Sequence, residues 1–329
     1  MNMRNIYILW GVLACMAFTS CYEEDTLTPT EGGVELRFKV PQGNNSWDND
    51  IAQIYEDYNV YLIYKDLQKE DFNRSWTGIA YGSGYEGQGC INDEMTNYYV
   101  EFMKKHIFAY LNPPITSKVL PMYWYLGYNV HSKGVLEVGG VILASWIVPI
   151  HENYDGLDYW CTCMFGEDNP SESYLIPTDR EILDRRRKMI LGPVLEKAVK
   201  AGNIIIPEEF EVGFDHVTNL IAGLGMEDDP NFYLTRGYPG SVNTYVFSSI
   251  STPDNNSYPP TNEETFIGYM HLSMFYNQAR LAEVYPADKY PFLTEKFAFV
   301  QKYLKEKYQI DLEAIANGPE DWDLPLPPI

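Results

Sequence analysis

Apolar and polar residues follow a strand period over much of the first half of this chain and a helical period over most of the second. Val34 to Val40 alternates and predicts a half-buried strand. Asp50–Tyr58 predicts a short amphipathic helix, and Asn59–Tyr64 a strand. Residues 73–92, rich in Gly, Ser and Tyr, predict a long loop. Asp93–Leu111 predicts a helix, stopped by Asn112-Pro113-Pro114. Strands are predicted at Val119–Leu126, Val135–Ala144 and Leu157–Met164, with turn residues between them.

The period changes after residue 178. Thr178-Asp179-Arg180-Glu181 spells a capping box, in which a Thr hydroxyl and a Glu carboxylate take up free backbone N–H groups. The helix behind it carries Leu183, Ile190, Val194 and Ala198 on one stripe and ends at Gly202. Pro207 opens a helix over Glu208–Gly223. Thr261-Asn262-Glu263-Glu264 is a second capping box, opening a helix that runs to about Val284. A last helix covers Ala287–Tyr308 and leads into Ile310-Asp311-Leu312. No internal repeat is present. A mixed sheet followed by a helical half makes the fold class α+β.

Charge removes one class of partner. The chain has 46 acidic against 24 basic residues, a net charge of −22, which repels nucleic acid. With 27 Tyr and 7 Trp it is rich in side chains that pair apolar area with a polar handle, as sugar platforms and interfaces do.

The N-terminus is a separate matter. One basic residue, Arg4, precedes an apolar run from Ile6 to Phe18, which is the order of a secretory signal and short for a membrane span. Thr19-Ser20-Cys21 then resembles the bacterial lipobox, in which the cysteine is diacylated and becomes the mature N-terminus. The acidic run Glu23-Glu24-Asp25 resembles the surface-export signal of Bacteroidetes outer-membrane lipoproteins. We therefore expect a signal peptide over residues 1–20, lipidation of Cys21, and a polar tether over 21–33. A domain over 34–317 follows, with an acidic, proline-rich, loosely held tail over 318–329. Tethering has to come from the acyl chains, since an acidic body gains nothing from an anionic leaflet.

Candidates for chemistry are sparse. His151-Glu152-Asn153-Tyr154-Asp155 is a partial zinc motif, but such a motif works only on a helix, and here it follows a strand-like run and leads into a turn. We read it as a loop. His106, His131, His216 and His271 have no partner spacing and read as structural. Arg185-Arg186-Arg187-Lys188 reads as a solvated face or as partner to nearby carboxylates, ahead of an anion site. Glu263 and Glu264 look like a catalytic pair, yet in a helix's first turn they cap. Cys90, Cys161 and Cys163 allow at most one disulfide and lack ligand spacing for a metal. They read as buried small hydrophobes.

Several segments resemble one family, the substrate import-associated zinc metallohydrolase lipoproteins of Bacteroidetes. They are residues 58–64, Lys118-Val119-Leu120-Pro121, Ile206-Pro207-Glu208-Glu209-Phe210, Asn262-Glu263-Glu264-Thr265-Phe266 and Lys302–Leu312. The resemblance implies a metallopeptidase-like α+β body and an outer-membrane location through acyl chains on Cys21. It also implies partnership with a TonB-dependent porin in nutrient uptake. This chain departs from the family at its zinc helix. Ile190-Leu191-Gly192-Pro193-Val194-Leu195-Glu196-Lys197-Ala198-Val199 stands where the family carries His-Glu-x-x-His, and no histidine lies between Asp155 and His216. No metal ligand, general base or cofactor can be carried over. The expectation is a metal-free accessory or binding subunit. Its rivals are a metallohydrolase with a non-standard site around His151 and Glu152, and a glycan-binding lipoprotein.

Overall fold

The computed structural model describes residues 36–74, 84–154, 156–167, 180–245, 247–253 and 257–324. Cys21 and its flanks, Thr178-Asp179 of the first capping box, Asp155, and residues 325–329 lie outside them. The chain divides into Met1–Lys39 and Val40–Ile329. In the first unit, residues 36–39 run through bends and not a strand. Alternation alone supplies no partner edge. The second unit carries the sheet and the helices.

Its sheet is mixed. Strands β1 (Tyr61–Ile63) and β6 (Tyr159–Phe165) pair parallel to the two sides of the start of β3 (Tyr123–Val138). Antiparallel to β3 lie β2 (Tyr85–Gly89) and β4 (Val141–Pro149), while β5 (Glu152–Asn153) pairs antiparallel with β6. Every residue of β6 is buried, as expected for a strand covered on both faces. The register between β3 and β6 slips after Gly127 and Cys163. There the Tyr99 hydroxyl donates to the Gly127 carbonyl and accepts from the Met164 N–H, both at 2.6 Å, replacing the ladder bonds that the slip removes.

Helix α1 (Ser46–Tyr58) precedes β1, and α2 (Asp93–Phe102) runs through a π turn and a 3-10 turn to the short α3 (Pro113–Thr116). The helical half follows: α4 (Arg180–Lys200), α5 (Glu208–Glu211), α6 (Asn262–Phe275), α7 (Gln278–Val284), α8 (Pro291–Tyr308) and α9 (Leu312–Asn317). A small ribbon, β7 (Ser241–Val242) with β8 (Ile250–Ser251), stands before α6. The fold is α+β, a mixed sheet first and helices after it. The stripe Leu183, Ile190, Val194 and Ala198 is buried, and burying each larger aliphatic contributes about 1.5–3 kcal/mol. Gly202 closes α4 at φ +76°, a left-handed position that glycine takes without strain. The second capping box holds: Thr261 Oγ1 accepts from Glu264 N at 3.2 Å, and Glu264 Oε2 accepts from Thr261 N at 2.8 Å.

Several expectations give way. The 73–92 loop contains β2, whose Gly89 approaches the backbone of Tyr64 so closely that a Cβ would lie 2.3 Å from its carbonyl oxygen. Glycine is there for packing. Val135–Ala144 is not one strand but the end of β3, a turn at Gly139-Gly140 with positive φ, and the start of β4. The helix expected over Glu208–Gly223 lasts one turn: Val212 leaves the helical conformation at ψ 123° and Gly213 follows at φ +94°. The helix from Thr261 stops at Phe275, and Asn277 caps α7 afresh by accepting from Arg280 N at 2.8 Å. The described part of the tail is held: Trp322 meets His106 edge-on at 5.7 Å, and Leu324 packs against the core.

Of the two readings of the basic run, pairing with carboxylates holds and the solvated face does not, because Arg187 and Lys188 are buried. Both pair with Asp184, Arg187 at 2.9 Å and Lys188 at 2.6 Å. They also donate to the Ile315 and Ala316 carbonyls near the end of α9. Cations at a helix C-terminus complement its dipole.

Candidate functional site

A groove of about 550 Å³ opens along one side of α4. Met189, Pro193, Glu196, Lys197 and Lys200 form its α4 wall; Pro149, Ile150, His151, Glu152 and Tyr154 form the opposite one, and Thr244 and Tyr245 close an end. The sheet positions the second wall. Glu152 pairs with Thr162 and Asn153 with Cys161 in the β5–β6 ladder, which places the Glu152 side chain on the same face as Thr162.

A polar relay runs in from the core on that face. The buried Trp124 indole N–H donates to Thr162 Oγ1 at 2.9 Å, and the Thr162 hydroxyl donates to Glu152 Oε2 at 2.7 Å. The Thr162 hydroxyl thus accepts from the indole on one side and donates to the carboxyl on the other. The other carboxyl oxygen, Oε1, is buried and has no hydrogen-bond partner among the described residues. Burial raises the Glu152 carboxyl from its usual value to about 8, against the lowering pull of Thr162 and of the Arg186 charge. At neutral pH it is mainly a neutral acid, able to donate from one oxygen while the other is fixed.

His151, the adjacent residue, is also tuned towards neutrality. His151 lies 3.3 Å from Arg186 through Nε2, and burial followed by that positive charge lowers it to about 4. It is therefore an uncharged imidazole near neutral pH. Burial lowers Arg186 as well. Tyr154 donates to the Met189 carbonyl at 3.0 Å and stacks edge-on with Trp160 at 5.0 Å, so its ring is held rather than free to swing. Net charge sits on α4: Glu196 pairs with Lys200 at 2.6 Å, and the Lys197 ammonium lies 5.7 Å from the centre of the Trp160 ring. Behind Glu196, 3.8 Å from Oε2, is His271 Nε2, whose imidazole burial holds below its usual value.

His151 and Glu152 thus come together in a groove, on a strand and its approach and not on a helix. Asp155, four residues on from His151 and the other half of the partial zinc motif, lies outside the described residues. His151 and Glu152 were legible together, as a partial zinc motif read as a loop. Tyr154, Glu196 and Lys197 converge with them only through the packing of α4, which the sequence does not announce. The remaining candidates stay apart. His106 is buried beside Phe102 and lowered to about 4, chiefly by burial. His131 Nδ1 lies 2.8 Å from the Asn129 carbonyl, and His216 Nδ1 2.7 Å from that of Pro260. Glu264 is committed to its cap at the edge of a second, 430 Å³ groove beside Tyr258 and Gly268. Cys90, Cys161 and Cys163 are free thiols, and burial pushes Cys90 and Cys163 up to about 12. Among the described residues no three His, Cys, Asp or Glu side chains converge as a metal would require.

No protein-family model matches the chain, and no curated protein is detectably similar to it. Among solved structures, it is similar to a crystal structure from Bacteroides caccae described as a "putative zinc-binding metallo-peptidase". The two share 14% identity over 82% of this chain and 88% of that one, with a TM-score of 0.40.

Proposed function

We propose that this chain is a lipoprotein, anchored in the outer membrane through Cys21 and exposed at the cell surface, whose α4 groove binds a neutral, hydrogen-bonding ligand. An oligosaccharide or peptide segment captured for a nutrient-uptake system has that chemistry. The observation that carries the binding half is Glu152. A buried carboxyl with one oxygen fixed by Thr162 and the other without a hydrogen-bond partner among the described residues is costly to fold unless a ligand completes it. Aromatic and aliphatic groups beside it supply apolar contact, as ligand grooves usually do. The anchoring half rests on the order of Arg4, the apolar run, Thr19-Ser20-Cys21 and the acidic residues after it. No helix among the described residues is long and apolar enough to cross a membrane.

The anchoring half is tested by Cys21→Ser in the native host. We expect the wild-type chain in the membrane fraction and accessible to protease on intact cells, and the variant soluble. A variant that fractionates with the membrane as before would reject acylation at this residue.

One observation favours a second reading, hydrolysis. An acid raised to about 8 beside a neutral imidazole is a pairing that general acid–base catalysis uses. Turnover of peptide or glycoside substrates that disappears in the His151→Ala, Glu152→Ala double variant would establish it. Binding without turnover keeps the first reading.

A further inference from the structure

The second groove, of about 430 Å³, has walls from the β7–β8 ribbon, from residues 258–260 and from the first turns of α6. The ribbon is common to both grooves. Thr244 and Tyr245, between its strands, close an end of the α4 groove, while Ser241 and Ser251 line the second. After its partner Glu196, Lys200 in the α4 wall also feels the charges of Glu263 and Glu264 at the start of α6. The two grooves are therefore neighbours.

Gly268 faces the second groove from inside α6. Glycine in a helix interior is disfavoured relative to alanine, and packing does not call for it here. A Cβ would meet only Pro239 Cγ, at the ordinary contact distance of 3.5 Å. A bare, uncrowded backbone leaves room for a ligand to approach the helix closely. Each groove also has one tyrosine that stands almost wholly in solvent, Tyr245 at 83% exposed and Tyr258 at 82%. Tyrosine normally buries much of its ring, so these two present uncovered faces. Tyr258 is stiffly mounted: the N–H of Leu220 donates to the Ser257 carbonyl before it at 2.8 Å, and Pro259 and Pro260 follow.

The wall chemistry selects the ligand. Ser241, Ser251 and Thr252 offer hydroxyls, and no lysine, arginine or histidine lines this groove among the described residues. Glu264, its acid, already accepts at Oε2 from the Thr261 N–H and hydroxyl. An anion finds no counter-charge there. An extended peptide would need backbone partners, but Pro239, Pro253, Pro259 and Pro260 have no N–H to give. Hydroxyls beside an uncovered aromatic face suit a sugar ring, whose faces are apolar and whose rim carries hydroxyls.

We infer that the two grooves hold one ligand, a chain of neutral sugars running from the α4 groove across the ribbon into the second. Tyr245 and Tyr258 stack on its rings, and Gly268 lets a ring lie against α6. This rests on the binding role proposed for the α4 groove and names its ligand as a glycan longer than one groove can hold.

Calorimetry on the full acylated chain, in a detergent without a sugar head group, tests it with neutral disaccharides and hexasaccharides of glucose, mannose and xylose. We expect one hexasaccharide to bind about 30-fold or more tighter than the disaccharide of its series, because the second groove engages a chain already tethered by the first. Tyr258→Ala should remove roughly 10-fold of that gain. Gly268→Ala should also reduce it while raising the unfolding midpoint, a pairing that damage to the fold cannot produce. Glu152→Ala reports separately on the α4 site and should take binding of both lengths with it. Equal affinity for the two lengths would overturn this inference and leave the α4 site standing, as would a gain that neither second-groove variant touches. Absence of binding to any sugar would overturn it too, and a proline-rich peptide weakened by both variants would then claim the second groove.

Discussion

Replacing Arg187 with Ala is expected to cost about 3–5 kcal/mol of folding stability, the largest effect we expect of any single substitution. Arg187 is 0% exposed. Its Nη1 donates to Asp184 Oδ1 at 2.9 Å and to the Ile315 carbonyl at 2.7 Å, and its guanidinium lies 4.4 Å from the centre of the Tyr110 ring. One side chain therefore joins α4 to the end of α9 and to the turn after α2. Alanine leaves a cavity, strips one partner from a carboxylate, and orphans a helix-terminal carbonyl. Lysine should not restore the loss, because a point charge cannot fork between two acceptors while stacking on a ring. Methionine should cost less than alanine, because it fills the volume without a charge that must be desolvated. Urea unfolding of the three variants reads this directly. A loss below about 1 kcal/mol for alanine would show that the link between α4 and α9 is not a principal tie.

Glu152→Gln should change the pH dependence of stability rather than its value at acid pH. The folded carboxyl titrates near 8, far above an unfolded glutamate, so between those values the folded state holds a proton that the unfolded state has lost. Stability must then fall as pH rises from about 4.5 towards 8, and level off beyond it. Gln keeps an acceptor for Thr162 and never ionises. It should match the wild type near pH 5 and exceed it at pH 9 by about 2–4 kcal/mol, since each pH unit separating the folded and unfolded titrations contributes about 1.36 kcal/mol. Thermal midpoints across that range give the answer. Parallel curves for the two proteins would mean that Glu152 is not held neutral.

Some local signals reported local structure, while others, such as the alternation at Val34–Val40 and the helical reading of Glu208–Gly223, did not. Thr261-x-x-Glu264 marked a helix start because both halves of that cap lie within four residues. The α4 stripe was legible because burial on a helix repeats at its own period. What failed was the environment. Val141 to Val148 has the composition of a buried strand, yet its large apolar side chains stand in solvent, since periodicity does not say what covers a face. The four cationic residues at 185–188 have the composition of a surface, yet Arg187 and Lys188 lie inside because Asp184 and the end of α9 meet them there. The groove was hardest to see. Glu152 belongs to it through the β6 register and Glu196 through helix packing, and the residues between them carry no mark of that meeting.

The groove is expected to bind its ligand without a catalytic metal, and calorimetry with and without chelator tests this. The acylated chain in detergent would be titrated with a panel of soluble oligosaccharides and short peptides, then with Zn²⁺ alone. The expected result is saturable binding of one ligand class that survives chelation, is lost in Glu152→Ala, and comes with no stoichiometric zinc. One tight zinc per chain, or binding that appears only once zinc is added, would contradict the account.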